Sequence, residues 1–599
     1  KKAIIAIEDK RFYEHNGVDA TGIARALVSN LGDSGRQGAS TITQQYVRNS
    51  LAERGYLEGD ADQVSAATEQ TTERKLREMK YALALEKTQS KDEILTGYLN
   101  IAPFGPITYG VEAASQRYFS KSASELNYLE AALLAGLVQS PVQYDPLTHP
   151  EAAQERRDTV LATMLDQGVI TQEEYDEGIA TSVDSMLHPT VSSEGCSGAP
   201  SAQAYFCDYV LAQFLEDSTF GSTRIERERL LKTQGITIRT TMDPAKQSAA
   251  YASLTNAIPV GDASGLNDAL VSLDPRTGKV LAMAQNTTYG IEAGQTMSNY
   301  SADGNLQVGS TFKVFVLLQW FKEGHSAYET VGSANTFYPN GSFKCDGRPI
   351  VTEGYQVNDL AGKTGSMNVV RATGQSVNQA FVNMASRVDF CSIFETAYDM
   401  GITEDGEVPA PFPANILGSV SGSPLQMASV FATIANSGQQ CTPKSIESVT
   451  DRNENVLQEF SPECKQVIPA EVANKTAALL TASAGQYYTS TRLGDGRPFA
   501  AKSGTTDGHA NTWLTGFTPS LATATWVGHG DNSSQEVSGV VINGVYHSEI
   551  FGETYVGQNI WAPYMTQALA GTPVEAVSNA NIGASIPQRG ATPSPSPSH

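Results

Sequence analysis

The chain has 599 residues, 40% of them hydrophobic, and a formal net charge of −23. Its length exceeds what one hydrophobic core supports, so two or three domains are expected. A chain this acidic is short of the lysines and arginines that general nucleic-acid binding needs, and neither a P-loop nor a dinucleotide fingerprint occurs. No run of eighteen apolar residues offers a membrane span. The chain opens on Lys1, seven residues before its first motif, so a signal or anchor segment is expected upstream.

Residues 1–180 read as mainly helical. Glu69 to Lys87 is a charged stretch without Gly or Pro. Ser122-Ala123-Ser124-Glu125 has the form of a capping box. It precedes Leu126, Leu129, Leu133, Leu134 and Leu137 at helical spacing, and Pro141 closes the pattern. Two carboxylates stand out in this half. Glu8 lies in Glu8-Asp9-Lys10-Arg11-Phe12-Tyr13-Glu14-His15-Asn16-Gly17, and Glu78 closes Arg74-Lys75-Leu76-Arg77-Glu78. Two carboxylates in one cleft can divide acid and base work. Arg48, Arg74, Lys75 and Arg77 could make a local basic cleft on an acidic surface. Taken alone, Glu78 reads as an i,i+4 ion pair with Arg74. His15 reads as a hydrogen-bonding scaffold, because no second histidine stands at ligand spacing.

Gly38-Ala39-Ser40-Thr41-Ile42-Thr43-Gln44-Gln45, Tyr98-Leu99-Asn100, and Gly110-Val111 through Tyr118-Phe119 complete the set. Segment by segment, residues 1–150 resemble the family-51 peptidoglycan glycosyltransferases. The resemblance implies a lysozyme-like helical fold and polymerisation of lipid II into β-1,4 glycan. Glu8 is then the general base toward the acceptor sugar hydroxyl. Glu78 assists departure of the pyrophosphate, directly or through a divalent cation (Mg or Mn). Arg48, Arg74 and Lys75 would neutralise the pyrophosphate, and Ser40, Thr41, Gln44 and Gln45 would hydrogen-bond sugar and phosphate. No protein-held metal site is otherwise indicated. The lipid tail implies that this domain rests on a membrane.

Residues 181–264 are expected to be a linker region. Gly, Ser and Pro cluster around Val191–Ser201, and Ile236 to Thr241 alternates like a strand. Residues 265–575 read as a second domain. Ala269–Leu273 and Lys279–Ala284 form a hairpin across Asp274-Pro275-Arg276-Thr277-Gly278. Trp513–Phe517 and Ala522–Gly528 form another. With helical segments between them, an antiparallel sheet flanked by helices is the simplest layering, an α/β (α+β) architecture. Residues 576–599 read as a Pro/Ser-rich tail.

Six cysteines, Cys196, Cys207, Cys345, Cys391, Cys441 and Cys464, include no C-x-x-C pair. Three sequential disulfides are the natural expectation outside the cytoplasm. About fifteen full pairings are formally open, and free buried thiols are the alternative.

The second domain holds Ser310-Thr311-Phe312-Lys313, Ser376-Val377-Asn378 and Lys502-Ser503-Gly504-Thr505. Each alone is commonplace. In this order they match the motif set shared by β-lactamases and penicillin-binding proteins. Ser310 and Lys313 share a helix face, and the apolar run from Val314 to Phe321 buries that helix. Burial disfavours an ammonium, so a neutral Lys313 can take the proton from Ser310. A backbone N–H near Ser310 and that of Thr505 would form an oxyanion hole. Lys502 and the hydroxyls of Ser503 and Thr505, with Gly504 between them, would clamp a substrate carboxylate. Ser376 would relay a proton to the leaving amine, and Asn378 would bind an amide or the lysine.

These motifs, with Asn511-Thr512-Trp513-Leu514-Thr515-Gly516-Phe517 and Trp526-Val527-Gly528, resemble the transpeptidase domain of class A penicillin-binding proteins. Where that family usually has Asp-Ala-Trp-Phe, this chain has Asn511-Thr512-Trp513-Leu514. The joint resemblance implies a bifunctional cell-wall synthase that β-lactams acylate. Lipid II, nascent peptidoglycan and cell-wall synthesis regulators are its expected partners. It would be anchored in the bacterial cell membrane by a single span, with both catalytic domains outside the cytoplasm. A D,D-carboxypeptidase or β-lactamase is the rival enzyme reading and leaves residues 1–150 unexplained. A non-catalytic scaffold or β-lactam-sensing receptor would have lost residues that are all present.

Overall fold

A computed structural model describes residues 1–22, 40–69, 71–106, 108–189, 195–332, 334–357, 365–530 and 534–584. Gly38-Ala39 and the Pro-Ser repeats after 585 lie outside these residues. The chain divides into two compact units, Lys1–Ser193 and Glu194–His599.

The first unit is helical. Its site is carried by α1 (Lys2–Glu8), α2 (Ile42–Glu58) and α3 (Thr72–Leu85). Behind them stand α4 (Tyr128–Leu137) and α5 (Pro150–Asp166). Ile4, Leu95, Tyr98, Leu133 and Leu161 share one core. The expected capping box exists, but Ser122 and Glu125 close only a 3-10 turn. A second box, Asn127 with Glu130, starts α4. Leu126 between them is extended, which breaks the helix that the leucine spacing suggested. Two boxes in tandem turn the chain sharply while satisfying the free N–H groups of each start.

The expected linker is instead divided between two cores. The turn Val183–Met186 buries Val183 and Met186 in the first unit. Helix α6 (Ala204–Glu216) sends Phe206 and Val210 into the core of the second. Thr237–Thr240 is a strand, as its alternation indicates, and pairs antiparallel with Ile446–Thr450. Val456–Glu459 completes this small sheet.

The second unit is built on a five-stranded antiparallel sheet. Its strands are β1 (Asn267–Leu273), β2 (Val280–Gln285), β3 (Ala500–Thr505), β4 (Asn511–Thr518) and β5 (Leu521–Gly528), in the order β3-β4-β5-β1-β2. Alternate side chains serve opposite faces. Ala269, Val271, Trp513 and Ala524 enter one core, and Leu270, Ala501, Leu514 and Val527 another. Both faces are therefore covered, and every residue of β4 and β5 is buried. On the first face lie α7 (Lys313–Lys322), α8 (Asn378–Ala385) and α9 (Ala470–Tyr487). Every residue from Lys313 to Phe321 is buried, as the all-round apolar sequence requires. Residues 576–584, expected as part of a tail, pack on this unit through Val577 and Ile582.

The six cysteines form Cys196–Cys207, Cys345–Cys391 and Cys441–Cys464. All lie in the second unit. Closing the 46-residue loop between Cys345 and Cys391 removes unfolded-state entropy worth about 4 kcal/mol in the chain-entropy treatment. Reductant should therefore lower the melting transition of the second unit and leave that of the cysteine-free first unit in place. Differential scanning calorimetry of the same sample with and without reductant checks this.

Candidate active sites

Ser310 sits on a 3-10 turn, Gly309–Phe312, that leads into α7, where Lys313 is the first residue. The turn rests against the end of β3. A Cβ on Gly309 would meet the Thr505 backbone at 3.0 Å, and one on Gly504 would meet the Val308 carbonyl at 2.7 Å. Gly418 supports the turn from the other side, its carbonyl accepting from the Gly309 N–H at 3.0 Å. A Cβ there would lie 1.8 Å from the Gly309 oxygen. Only glycine fits that approach, and no motif in the sequence marks it.

The three motifs meet on Ser376. The Lys313 side-chain nitrogen donates to Asn378 Oδ1 at 2.6 Å, to the Ser376 carbonyl at 2.7 Å and to Ser376 Oγ at 3.3 Å. Lys502 donates to the same Oγ at 2.8 Å and to the Ser503 carbonyl at 2.8 Å. Both lysines are fully buried. Ser376 has φ +54°, a left-handed conformation unusual for serine. Its N–H is held by the Thr373 carbonyl and that of Val377 by Ala372, which fixes the loop before α8. Burial brings Lys502 down to about 7, against a smaller upward pull from the Glu553 carboxylate.

Ser503 departs from its expected role. Strand alternation turns it away from Lys502, opposite Leu514. There its hydroxyl accepts from Tyr488 at 3.2 Å, and its N–H donates to the Tyr488 oxygen at 2.9 Å. The hydroxyl thus serves the strand rather than the cleft. Burial raises the Tyr488 phenol. Tyr488 was not legible as a site residue, because an isolated tyrosine after a helix carries no motif. Asn511 accepts from the Trp526 indole at 2.9 Å. Trp513 donates to the Gln307 carbonyl at 2.9 Å, so the departure from Asp-Ala-Trp-Phe preserves a pinned sheet beside the Ser310 turn.

In the first unit, Glu8 ends α1. Gln45 on α2 donates to its Oε2 at 2.8 Å, and the Tyr98 hydroxyl donates to the Gln45 amide oxygen at 3.1 Å. Arg156 stands 4.0 Å from the other oxygen. Burial raises the Glu8 carboxyl, while Gln45, Arg156 and Arg48 pull it back. Gln45 is thus a positioning partner of Glu8. Asp9 is structural: it accepts from the Ile42 N–H at 3.0 Å and pairs with His15 at 3.0 Å, tying α1 to the start of α2. The scaffold role expected of His15 holds. Thr41 caps α2 and donates its hydroxyl to the Gly17 carbonyl at 2.7 Å. Gln44 is buried, and its amide has no hydrogen-bond partner among the described residues.

Glu78 on α3 is 2% exposed. Arg74 pairs with one of its oxygens, and Lys75 reaches the other at 3.3 Å. Lys75 also donates to Ser40 Oγ. Burial lowers the Lys75 amine, with Glu78 opposing. Arg48, Arg74 and Lys75 line one cleft of about 610 Å³ with Thr68, Thr71 and Thr72. Arg77 faces the Ala66 carbonyl instead of joining them. Arg48 lies within electrostatic reach of both Glu8 and Lys75, which places the two halves of this site side by side. Both Glu78 oxygens face cations, and no group of three or more His, Cys, Asp or Glu able to hold a metal ion occurs among the described residues.

Residues 1–165 match the Transglycosylase family model, and residues 269–544 match the penicillin binding protein transpeptidase domain. Penicillin-binding protein 1A of Mycolicibacterium smegmatis is 32% identical over 100% of this chain and 73% of its own length. Penicillin-binding protein 2D of Bacillus subtilis is 32% identical over 96% of this chain and 76% of its own. The structure of Mycobacterium tuberculosis PonA1 in complex with penicillin V superposes with a TM-score of 0.52 at 27% identity, covering 66% of this chain and 99% of that one. Haemophilus influenzae penicillin-binding protein 1A shares the fold, with a TM-score of 0.64 over 90% of each chain at 20% identity. With a glycosyl-transfer cleft in one unit and an acyl-transfer pocket in the other, the chain belongs to the class A penicillin-binding proteins, the bifunctional peptidoglycan glycosyltransferase–transpeptidases.

Proposed function

We propose that Glu8 and Ser310 are the two reacting residues of this synthase. In the first unit, ionised Glu8 takes the proton of the 4-hydroxyl on the acceptor sugar. That oxygen attacks the anomeric carbon of a lipid-pyrophosphate donor, the bond to pyrophosphate breaks, and the anomeric configuration inverts. Arg48, Arg74 and Lys75 receive the charge that develops on the pyrophosphate, and Glu78 holds the last two in the cleft. The lipid tail of the donor sets this unit at a membrane surface, although no helix among the described residues is long and apolar enough to cross one. Three disulfides accord with work outside the cytoplasm.

In the second unit, Lys313 takes the Ser310 proton as Oγ attacks the penultimate D-Ala carbonyl of a stem peptide. The Ser310 and Thr505 N–H groups face the developing oxyanion. Ser376 passes a proton to the departing D-Ala amine, and Lys502 binds the terminal carboxylate. A second peptide amine then displaces Ser310 from the acyl-enzyme. β-Lactams present the same carboxylate and strained carbonyl, and acylate Ser310. The observation that carries this reading is the meeting of Lys313 and Lys502 on Ser376, beside the Ser310 turn.

Fluorescent penicillin should label the wild-type chain and fail to label Ser310→Ala; retained label sinks the nucleophile assignment. Glu8→Gln should slow lipid II polymerisation by about 10²–10⁴-fold, the usual worth of a general base, while penicillin labelling persists.

Two pH dependences follow. Glu8 must be ionised to act and its carboxyl is raised, so polymerisation fails on acidification earlier than an ordinary carboxylate would dictate. Gln45→Ala removes a donor that favours the ionised form, and should move that acid limb to higher pH. Lys502 must be charged to bind a carboxylate, and its amine titrates at about 7. The second-order rate of acylation by a carboxylate-bearing penicillin should fall above that pH, by about tenfold per pH unit. Lys502→Arg keeps its charge and should lack this limb. A limb that survives in Lys502→Arg belongs to another group.

A further inference from the structure

Residues 575–584 lie beyond the transpeptidase match, which ends at residue 544. They nevertheless run back across the face of the unit that carries the catalytic motifs. Four attachments hold them. Glu575 pairs with Arg276 at 2.6 Å, an exposed contact worth little by itself. Ser578 donates to the Asn474 carbonyl at 2.8 Å. Ile582, 9% exposed, enters the same core as α7. Lys475, 3% exposed, donates to the Ala584 carbonyl at 2.7 Å.

These attachments lead to the active site by two short routes. The Ile582 carbonyl accepts from the Ala327 N–H at 2.9 Å, and the Ala327 carbonyl accepts from the Val369 N–H at 3.0 Å. Val369 opens the helix Val369–Gly374, which ends two residues before Ser376. The second route runs through α9. Its first turns carry Asn474 and Lys475. Its last residue, Tyr487, abuts Gly374 so closely that a Cβ there would lie 2.1 Å from the ring. The next residue, Tyr488, holds Ser503 beside Lys502.

We propose that residues 575–584 are a positioning strap for transpeptidation, bracing the Ser376 loop through Ala327 and the Lys502 strand through α9. The strap touches no reacting atom. It acts by restraining two elements whose hydroxyl and amine must stay within hydrogen-bond distance, and small losses of such alignment are costly in rate. This rests on the assignment of Ser376 and Lys502 given above.

The test compares a chain ending at Val574 with one ending at Ala584, which keeps the strap and lacks only residues 585–599. The Ala584 chain should be acylated by fluorescent penicillin at the full rate. The Val574 chain should be acylated at least tenfold more slowly while polymerising lipid II normally. In the full chain, Ile582→Ala should slow acylation and move its limb near pH 7 upward, as Lys502 becomes better hydrated. Ile582→Leu should restore both. If the Val574 chain does not fold, the Ile582 pair and Lys475→Met carry the same readouts. Acylation within twofold of wild type with an unmoved pH limb, even at a lowered Tm, would make the strap purely structural and overturn the proposal. Ser376→Ala keeps the strap: full-rate acylation by that variant would sink the site assignment instead, whatever the strap variants do.

Discussion

A single serine hydroxyl accepting from two buried lysines organises the second unit. Lys313 and Lys502 both reach Ser376 Oγ, so their nitrogens lie within about 6 Å of each other. Two unit charges at that separation would repel by roughly 3 kcal/mol at an effective dielectric constant of 20, so the pocket disfavours two charged amines at once. This acts in the same direction as the desolvation that brings Lys502 to about 7. Such an arrangement persists only if the surroundings allow neither amine to leave. Asn378 and two backbone carbonyls, of Ser376 and Ser503, supply the remaining acceptors. A pocket of this kind waits for an anion: a bound carboxylate supplies the negative charge that the protein leaves out.

The backbone is bent to make this possible. Ser376 holds a left-handed conformation, and departures of this kind cost about 1–3 kcal/mol each. Gly418 approaches Gly309 so closely that a Cβ on Gly418 would lie 1.8 Å from the Gly309 oxygen, and Gly309 itself holds φ +53° against the Thr505 backbone. Opposing these costs are a sheet packed on both faces and four tryptophans with no exposed surface. Each fully buried large apolar side chain contributes roughly 1.5–3 kcal/mol by transfer. The strain is thus local and the stabilisation distributed, which is how a rigid domain keeps a few atoms in an unfavourable place.

Much of this was legible in the sequence where chemistry is tied to short spacing. The grouping of Lys313, Ser376, Asn378 and Lys502 was legible because spacing on a helix, or alternation on a strand, fixes which side chains can meet. Both hairpins read for the same reason, and the sequential cysteine pairing matched. What stayed hidden depends on contacts distant in the chain. Gly418 matters only because Gly309 comes to it. Tyr488 matters only because a strand edge passes its hydroxyl. Residues 181–264 read as a linker because their apolar positions are shared between two cores, and neither share alone makes a clear period. The Ser122 box was real but belonged to a shorter turn, since local caps state where a helix can start without stating how long it runs.

The two sites use burial in opposite senses. Glu8 is raised and Lys502 lowered by one cause, the loss of water around a charge. In the first unit a carboxylate becomes a stronger base, as the role proposed for Glu8 requires. In the second an amine comes to titrate near neutrality, where substrate binding can decide its charge. The cleft beside Glu8 completes the contrast. Three cations line it in a chain whose net charge is −23, and Glu78 neutralises only part of that local excess. An acidic surface repels a pyrophosphate at long range, but screening confines that repulsion to about 8 Å at physiological salt. Within that distance Arg48, Arg74 and Lys75 dominate the field. On the proposed reading, selection for the doubly charged leaving group therefore comes from the cleft itself, and the substrate brings the charge that makes the site electrically complete.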